Sequence, residues 1–192
     1  MRMVTMFMVS FLFLISACQG QERSPIDVTM YNPAGDSIGT ATLNEQADGV
    51  QVTLSVEGLE PGLHGIHVHE YPECEGPDFK SAGSHYNPEG NEHGLMHPEG
   101  SHLGDLPNIE VSEDGMVDEA ELQINGATLT DGNTSILKED GTSLIIHQKQ
   151  DDGVSQPAGN AGERIACGVI SLDEADQEAP TDPTETDEDT EE

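Results

Sequence analysis

Two histidines separated by one valine stand in the apolar run Gly65-Ile66-His67-Val68-His69. A run of this kind reads as a strand, and residues two apart on a strand share a face. His67 and His69 therefore project to the same side. A strand with two imidazoles on one side constrains the fold, because the rest of the chain must bring further ligands there to hold a metal. His85, His93, His102, Asp105 and His147 are the candidates. Six of the eight histidines in the chain fall in this series.

The surrounding pattern is all-β. Val50-Gln51-Val52-Thr53-Leu54-Ser55-Val56 alternates apolar and polar cleanly, the mark of a half-buried strand. Asp27–Tyr31 alternates as well, and Ser37–Leu43 does so weakly. Asn32-Pro33-Ala34-Gly35-Asp36 and Gln46-Ala47-Asp48-Gly49 carry turn chemistry between them. Further strands are predicted at Asp105–Val111, Val117–Gln123, Ser143–His147 and Ile165–Leu172, with Asp114-Gly115 turning between the first two. The chain has no tryptophan and few aromatics, so Val, Ile and Leu must build the core. Two stretches lack the rhythm, Glu70–Gly104 and Gln148–Glu163. The first holds most of the candidate ligands, which argues for function and for ordering by metal. About eight short antiparallel strands with long loops predict a Greek-key barrel or sandwich.

The two ends read differently from this domain. Residues 1–17 combine Arg2, the apolar run Phe11-Leu12-Phe13-Leu14-Ile15 and small residues, the pattern of a secretory signal. Ile15-Ser16-Ala17-Cys18 resembles a bacterial lipobox, which implies cleavage before Cys18 and lipid on its sulfur. Residues 18–25 then form a lipidated tether and residues 26–172 the domain, exported and anchored at the outer face of a bacterial cell membrane. Residues 173–192 hold no basic residue and too little apolar surface to order themselves, so they read as an acidic disordered tail. With Cys18 lipidated, Cys74 and Cys167 remain as a pair suited to a disulfide in an oxidising compartment. The formal charge is −32, and losing Arg2 with the signal makes it −33. Such a chain does not bind nucleic acid or anionic lipid by charge, and membrane contact is left to the lipid on Cys18.

The candidate ligands divide by chemistry. His85, His93, His102 and Asp105 supply three imidazoles and a carboxylate, the donor set of a tetrahedral zinc site. His67, His69 and His147 remain as a strand-borne nitrogen set, which suits copper. The two sets join if His85 bridges both ions through its two ring nitrogens. His64, in the turn Gly62-Leu63-His64-Gly65, is expected to be structural, and His97 to be an exposed loop residue.

These residues also resemble a known family. Gly62-Leu63-His64-Gly65-Ile66-His67-Val68-His69-Glu70 is similar to the copper-ligand strand of the copper/zinc superoxide dismutases. Ser81-Ala82-Gly83-Ser84-His85-Tyr86-Asn87-Pro88 resembles the segment with the bridging histidine, and His102-Leu103-Gly104-Asp105 the zinc-ligand element. Gly159-Asn160-Ala161-Gly162-Glu163-Arg164-Ile165-Ala166-Cys167-Gly168-Val169-Ile170 resembles the C-terminal signature. The resemblance implies a Greek-key β-barrel that converts superoxide to oxygen and hydrogen peroxide by copper redox cycling. It implies copper on His67, His69, His85 and His147, and zinc on His85, His93, His102 and Asp105. Cys74 and Cys167 match the family disulfide, and Asp151 the carboxylate that links copper and zinc histidines. His85 and Arg164 are the implied catalytic residues: His85 carries a proton during turnover, and Arg164 attracts and orients the anion. A homodimer is compatible with the resemblance, although no interface is legible.

One departure bears on substrate capture. Gln148–Glu163 is shorter than the electrostatic loop of eukaryotic members, and Lys149 is its cation. A chain near −33 should repel superoxide at long range, but salt screens exposed charges beyond about 8–10 Å. Arg164 and copper are therefore expected to form a local positive funnel. A metal carrier or an adhesion module are the rival readings. A carrier has no need of Arg164, and an adhesion module leaves the ligands unexplained.

Overall fold

The computed structural model describes residues 25–98 and 100–172. The expected signal, Cys18 with most of its tether, and the acidic tail lie outside the described residues. Strands β1 (Ile26–Tyr31), β2 (Ser37–Gln46) and β3 (Gly49–Glu57) form a meander at the expected positions. Both strands run further into the second turn than expected, which leaves Ala47 and Asp48 as a two-residue connection. β4 (Gly62–His64), β5 (Ile66–His69), β6 (Ile109–Val111), β7 (Met116–Asn125), β8 (Thr142–His147) and β9 (Arg164–Ile170) complete the strands.

Among the described residues nine strands appear where about eight were expected, because β4 and β5 are one strand broken at Gly65. The Gly65 N–H donates to the Lys149 carbonyl, and the Gly65 carbonyl accepts from His147 N–H, both at 2.8 Å. The first half pairs with β6 and the second with β8. One sheet runs β5-β8-β9-β1-β2-β3-β7, and the β4–β6 pair leads into β7 through the turn at Ser112–Met116. β3 lies beside β7 rather than beside its successor β4, which is a Greek-key crossing. The predicted strand Asp105–Val111 is shorter than expected, and only Ile109–Val111 is regular. Pro107 offers no N–H to a ladder, and Asp105 instead bridges to His67.

Val28, Met30, Leu43, Val52, Leu54 and Ile146 fill the interior. Ile66 and Val68 join that core, so the alternation along β5 sends His67 and His69 together to the opposite face. That face is also buried, because the long loop folds over it. Phe79 and Ala82 of the loop pack on Ile145 of β8 and Cys167 of β9. The Cys74–Cys167 disulfide ties the same loop to β9. The loop is thus ordered by packing and a covalent tie as well as by any metal.

Candidate metal centre

The loop ligands reach the strand ligands by backbone pairing. His85 bridges to His69, and Asp105 to His67, both on the edge of β5 that β8 leaves free. Gly104 makes this approach feasible: a Cβ there would lie 2.3 Å from the Val68 carbonyl oxygen. His147 ends β8, opposite Arg164 on β9. The four imidazoles of His67, His69, His85 and His147 bring their donor atoms within 4.8 Å of one another.

Each ring of this set is oriented through one nitrogen and leaves the other bare. His67 Nε2 donates to Asp151 Oδ2 at 2.8 Å, and His69 Nδ1 to the Gly83 carbonyl at 3.0 Å. His85 Nδ1 lies 2.8 Å from Asp105 Oδ1, and His147 Nδ1 lies 3.4 Å from the Gly162 carbonyl. His67 Nδ1, His69 Nε2, His85 Nε2 and His147 Nε2 are buried without a partner. An unpartnered buried polar atom costs about 1–3 kcal/mol, so four together fit a cation that they coordinate. Their protonation fits too. Burial lowers His85 to about 4 and His147 to about 3, and it holds His69 well below the usual histidine range. Neutral imidazoles keep the lone pairs that a metal needs.

The second set converges on one oxygen. His85 Nδ1, His93 Nδ1 and His102 Nδ1 lie 2.8, 3.1 and 3.3 Å from Asp105 Oδ1. Asp105 Oδ2 is held by the N–H groups of Gly94 at 2.9 Å and His102 at 3.2 Å. Burial works against the Asp105 carboxylate, but hydrogen bonds from His102, His85 and His93 hold it far below the usual range. Three imidazoles and one carboxylate within a few ångströms fit tetrahedral zinc. His85 belongs to both sets.

Two donor sets that share one imidazole point to a particular family. The family model for copper/zinc superoxide dismutase (SODC) matches residues 37–170. The chain belongs to the copper/zinc superoxide dismutase family. It is 46% identical over 161 residues to Superoxide dismutase [Cu-Zn] 2 of Aquifex aeolicus, covering 83% of this chain and 93% of that one. It superposes on the crystal structure of a SOD-like protein from Bacillus subtilis with a TM-score of 0.72 and 38% identity, over 75% of this chain and 97% of that one. The Cu/Zn superoxide dismutase from Brucella abortus gives a TM-score of 0.64 at 31% identity, over 77% and 100% of the two chains. The neighbours share the β-barrel, and the two donor sets fit the family's copper and zinc.

In this family member Asp151 joins the two sets. Its Oδ2 accepts from His67 and its Oδ1 accepts from His93 Nε2 at 3.0 Å. Burial lowers His93, but the hydrogen bonds it donates to Asp105 and Asp151 overcome this and raise that imidazole to about 9. Sequence reasoning missed what holds Asp151 and His93 in place. Asn108 donates to the Asp151 carbonyl at 2.9 Å and accepts from its N–H at 2.8 Å. Gln156 makes the same two-way clasp on the His93 backbone, at 3.0 and 2.9 Å. A Cβ on Gly159 would lie 1.8 Å from Asp151 Oδ1, so the carboxylate needs glycine there. Asp151→Asn is expected to weaken metal affinity by roughly 10–100-fold while the fold persists, as loss of such outer partners does. Competition against a chelator, followed metal by metal, checks this, and unchanged affinities for both would count against the link.

Arg164 is half-buried, and Nη1 and Nη2 donate to the Phe79 carbonyl at 2.5 Å and the Gly83 carbonyl at 2.6 Å. The Gly83 carbonyl therefore positions both Arg164 and His69. His64, expected to be structural, is buried, its ring spanning the His147 and Glu60 carbonyls at 2.8 Å each. His97 departs from its expected exposure: it is half-buried, and its Nδ1 is shielded without a partner.

Proposed function

We propose that this superoxide dismutase holds copper through His67, His69, His85 and His147, and zinc through His85, His93, His102 and Asp105. The observation that supports the division is the direction of the bare nitrogens: one shared imidazole presents Nε2 to the first set and Nδ1 to the second. Bound copper supplies the one-electron exchange that zinc lacks, turning two superoxide anions and two protons into oxygen and hydrogen peroxide.

The chain's own groups bind the anion and hold the proton. Arg164 stands opposite His147 in register, with its guanidinium fixed by two carbonyls. Fixed in this way, it binds and orients superoxide by charge-assisted hydrogen bonds. His85 is the proton-carrying residue at Nε2, with its ring held by Nδ1 against Asp105. The Cys74–Cys167 bridge supports an oxidising compartment. A signal over residues 1–17 and lipid on Cys18 would anchor residues 26–172 at the outer face of the membrane.

The test is superoxide dismutation by protein loaded with copper and zinc, with metal-free protein as the blank. Arg164→Ala is expected to lower the rate by roughly tenfold or more at unchanged metal content, the cost of one charge-assisted contact. A metal carrier would bind both ions and show no dismutation. Activity indifferent to Arg164→Ala at every ionic strength would remove the arginine from the mechanism.

A further inference from the structure

Behind the copper set lies a cavity that the proposed reaction does not use. Its volume is about 330 Å³, within the range of about 300–1,000 Å³ typical of small-molecule sites. Pro33, Ile38, Leu59 and Ile165 give it apolar walls. Two of its lining residues follow site residues in the chain: Gln148 follows His147, and Ile165 follows Arg164. His147 and Arg164 are opposite in register, so the cavity sits at the same end of the β8–β9 pair as they do. Successive residues of a strand face opposite ways, so Ile165 turns away from the side that Arg164 serves.

His64 also lines the cavity, and it joins the cavity to the copper set. Its Nδ1 lies 2.8 Å from the His147 carbonyl and its Nε2 lies 2.8 Å from the Glu60 carbonyl. A group that presses on this ring therefore presses on the backbone of a proposed copper ligand. The charge of the cavity selects what can enter. The exposed Glu60 lines it, and among the described residues no lysine or arginine does. The whole chain has 38 acidic residues against 6 lysines and arginines, a field that concentrates cations and excludes anions.

We infer that this cavity binds a small organic ammonium ion with an apolar body, and that its occupancy is felt at His147. The apolar walls take the body, and the Glu60 carboxylate supplies the countercharge. The link to copper rests on the function proposed above; the binding itself does not.

Benzyltrimethylammonium is a suitable probe, because its nitrogen has no lone pair and cannot ligate copper. Calorimetry should show one saturable site, in zinc-loaded protein and in protein loaded with both metals alike. Benzyl alcohol, the neutral control, should bind roughly threefold more weakly, the scale of one exposed charge contact. Glu60→Gln should remove that preference. Ile38→Phe adds bulk to the wall and should weaken binding about tenfold. The copper absorption of the fully loaded protein should shift with the same midpoint as binding. No saturable binding, equal affinity for benzyl alcohol, or indifference to Ile38→Phe overturns the site. If Ile38→Phe does not fold, the Glu60→Gln result and the benzyl alcohol comparison decide. Binding without a copper shift overturns the link to His147. Binding by protein that shows no dismutation leaves the site standing and fails the proposed reaction.

Discussion

His147→Ala is expected to abolish dismutation and leave zinc bound. His147 Nε2 is one of the four bare nitrogens of the proposed copper set and takes no part in the zinc set. Removing a direct donor should cost more than the roughly 100-fold that loss of an outer partner can cost. The substitution spares the local backbone. The His147 N–H still donates to Gly65, and the His147 carbonyl still accepts from His64. The strand end and the Arg164 register therefore persist. Metal analysis after dialysis should find zinc at the parental level and copper depleted, with activity at background. Retained activity would break the copper assignment. Joint loss of both metals would show that the two sets do not separate as their geometry divides them.

Cys74→Ser combined with Cys167→Ser is expected to destabilise the metal-free domain by roughly 2–5 kcal/mol. The bridge spans 93 residues, and a loop of about that length gives about 4.7 kcal/mol in the chain-entropy model. Serine at both positions avoids leaving a reactive thiol. The site should loosen as well, because the bridge holds the segment that carries the Phe79 and Gly83 carbonyls. Denaturation of metal-free protein, parent against variant, reads the first effect, and using metal-free protein keeps metal linkage out of the comparison. An unchanged midpoint would mean that packing of Phe79 and Ala82 on Ile145 holds the loop without the bond.

Much of the strand plan was legible because its signal is local. Val50–Val56 alternates within itself, and its register with β2 and β7 follows from which face is apolar. The segment between β7 and β8 gave no such signal, yet Ala127, Leu129 and Ile136 from it are buried in the core. Ser135 in the same segment accepts from the Tyr86 hydroxyl at 2.8 Å. Its residues pack against partners distant in sequence, which periodicity does not report. Asn108 and Gln156 escaped notice for the same reason: they act on Asp151 and His93, 43 and 63 positions away.

The sequence by itself determined the donors: which side chains can bind, that His67 and His69 share a face, and that nitrogen-rich and carboxylate-containing sets exist. These follow from side-chain chemistry and from the two-residue period of a strand. Only the tertiary structure decided which nitrogen of each ring is bare. That choice depends on what the other nitrogen meets: Asp151 for His67, the Gly83 carbonyl for His69 and Asp105 for His85. These partners come from separate loops, and the bridges to β5 and the clasps of Asn108 and Gln156 fix where those loops lie. An imidazole has two nitrogens and one ring orientation, so its second partner settles whether a list of histidines becomes two metal sites or none.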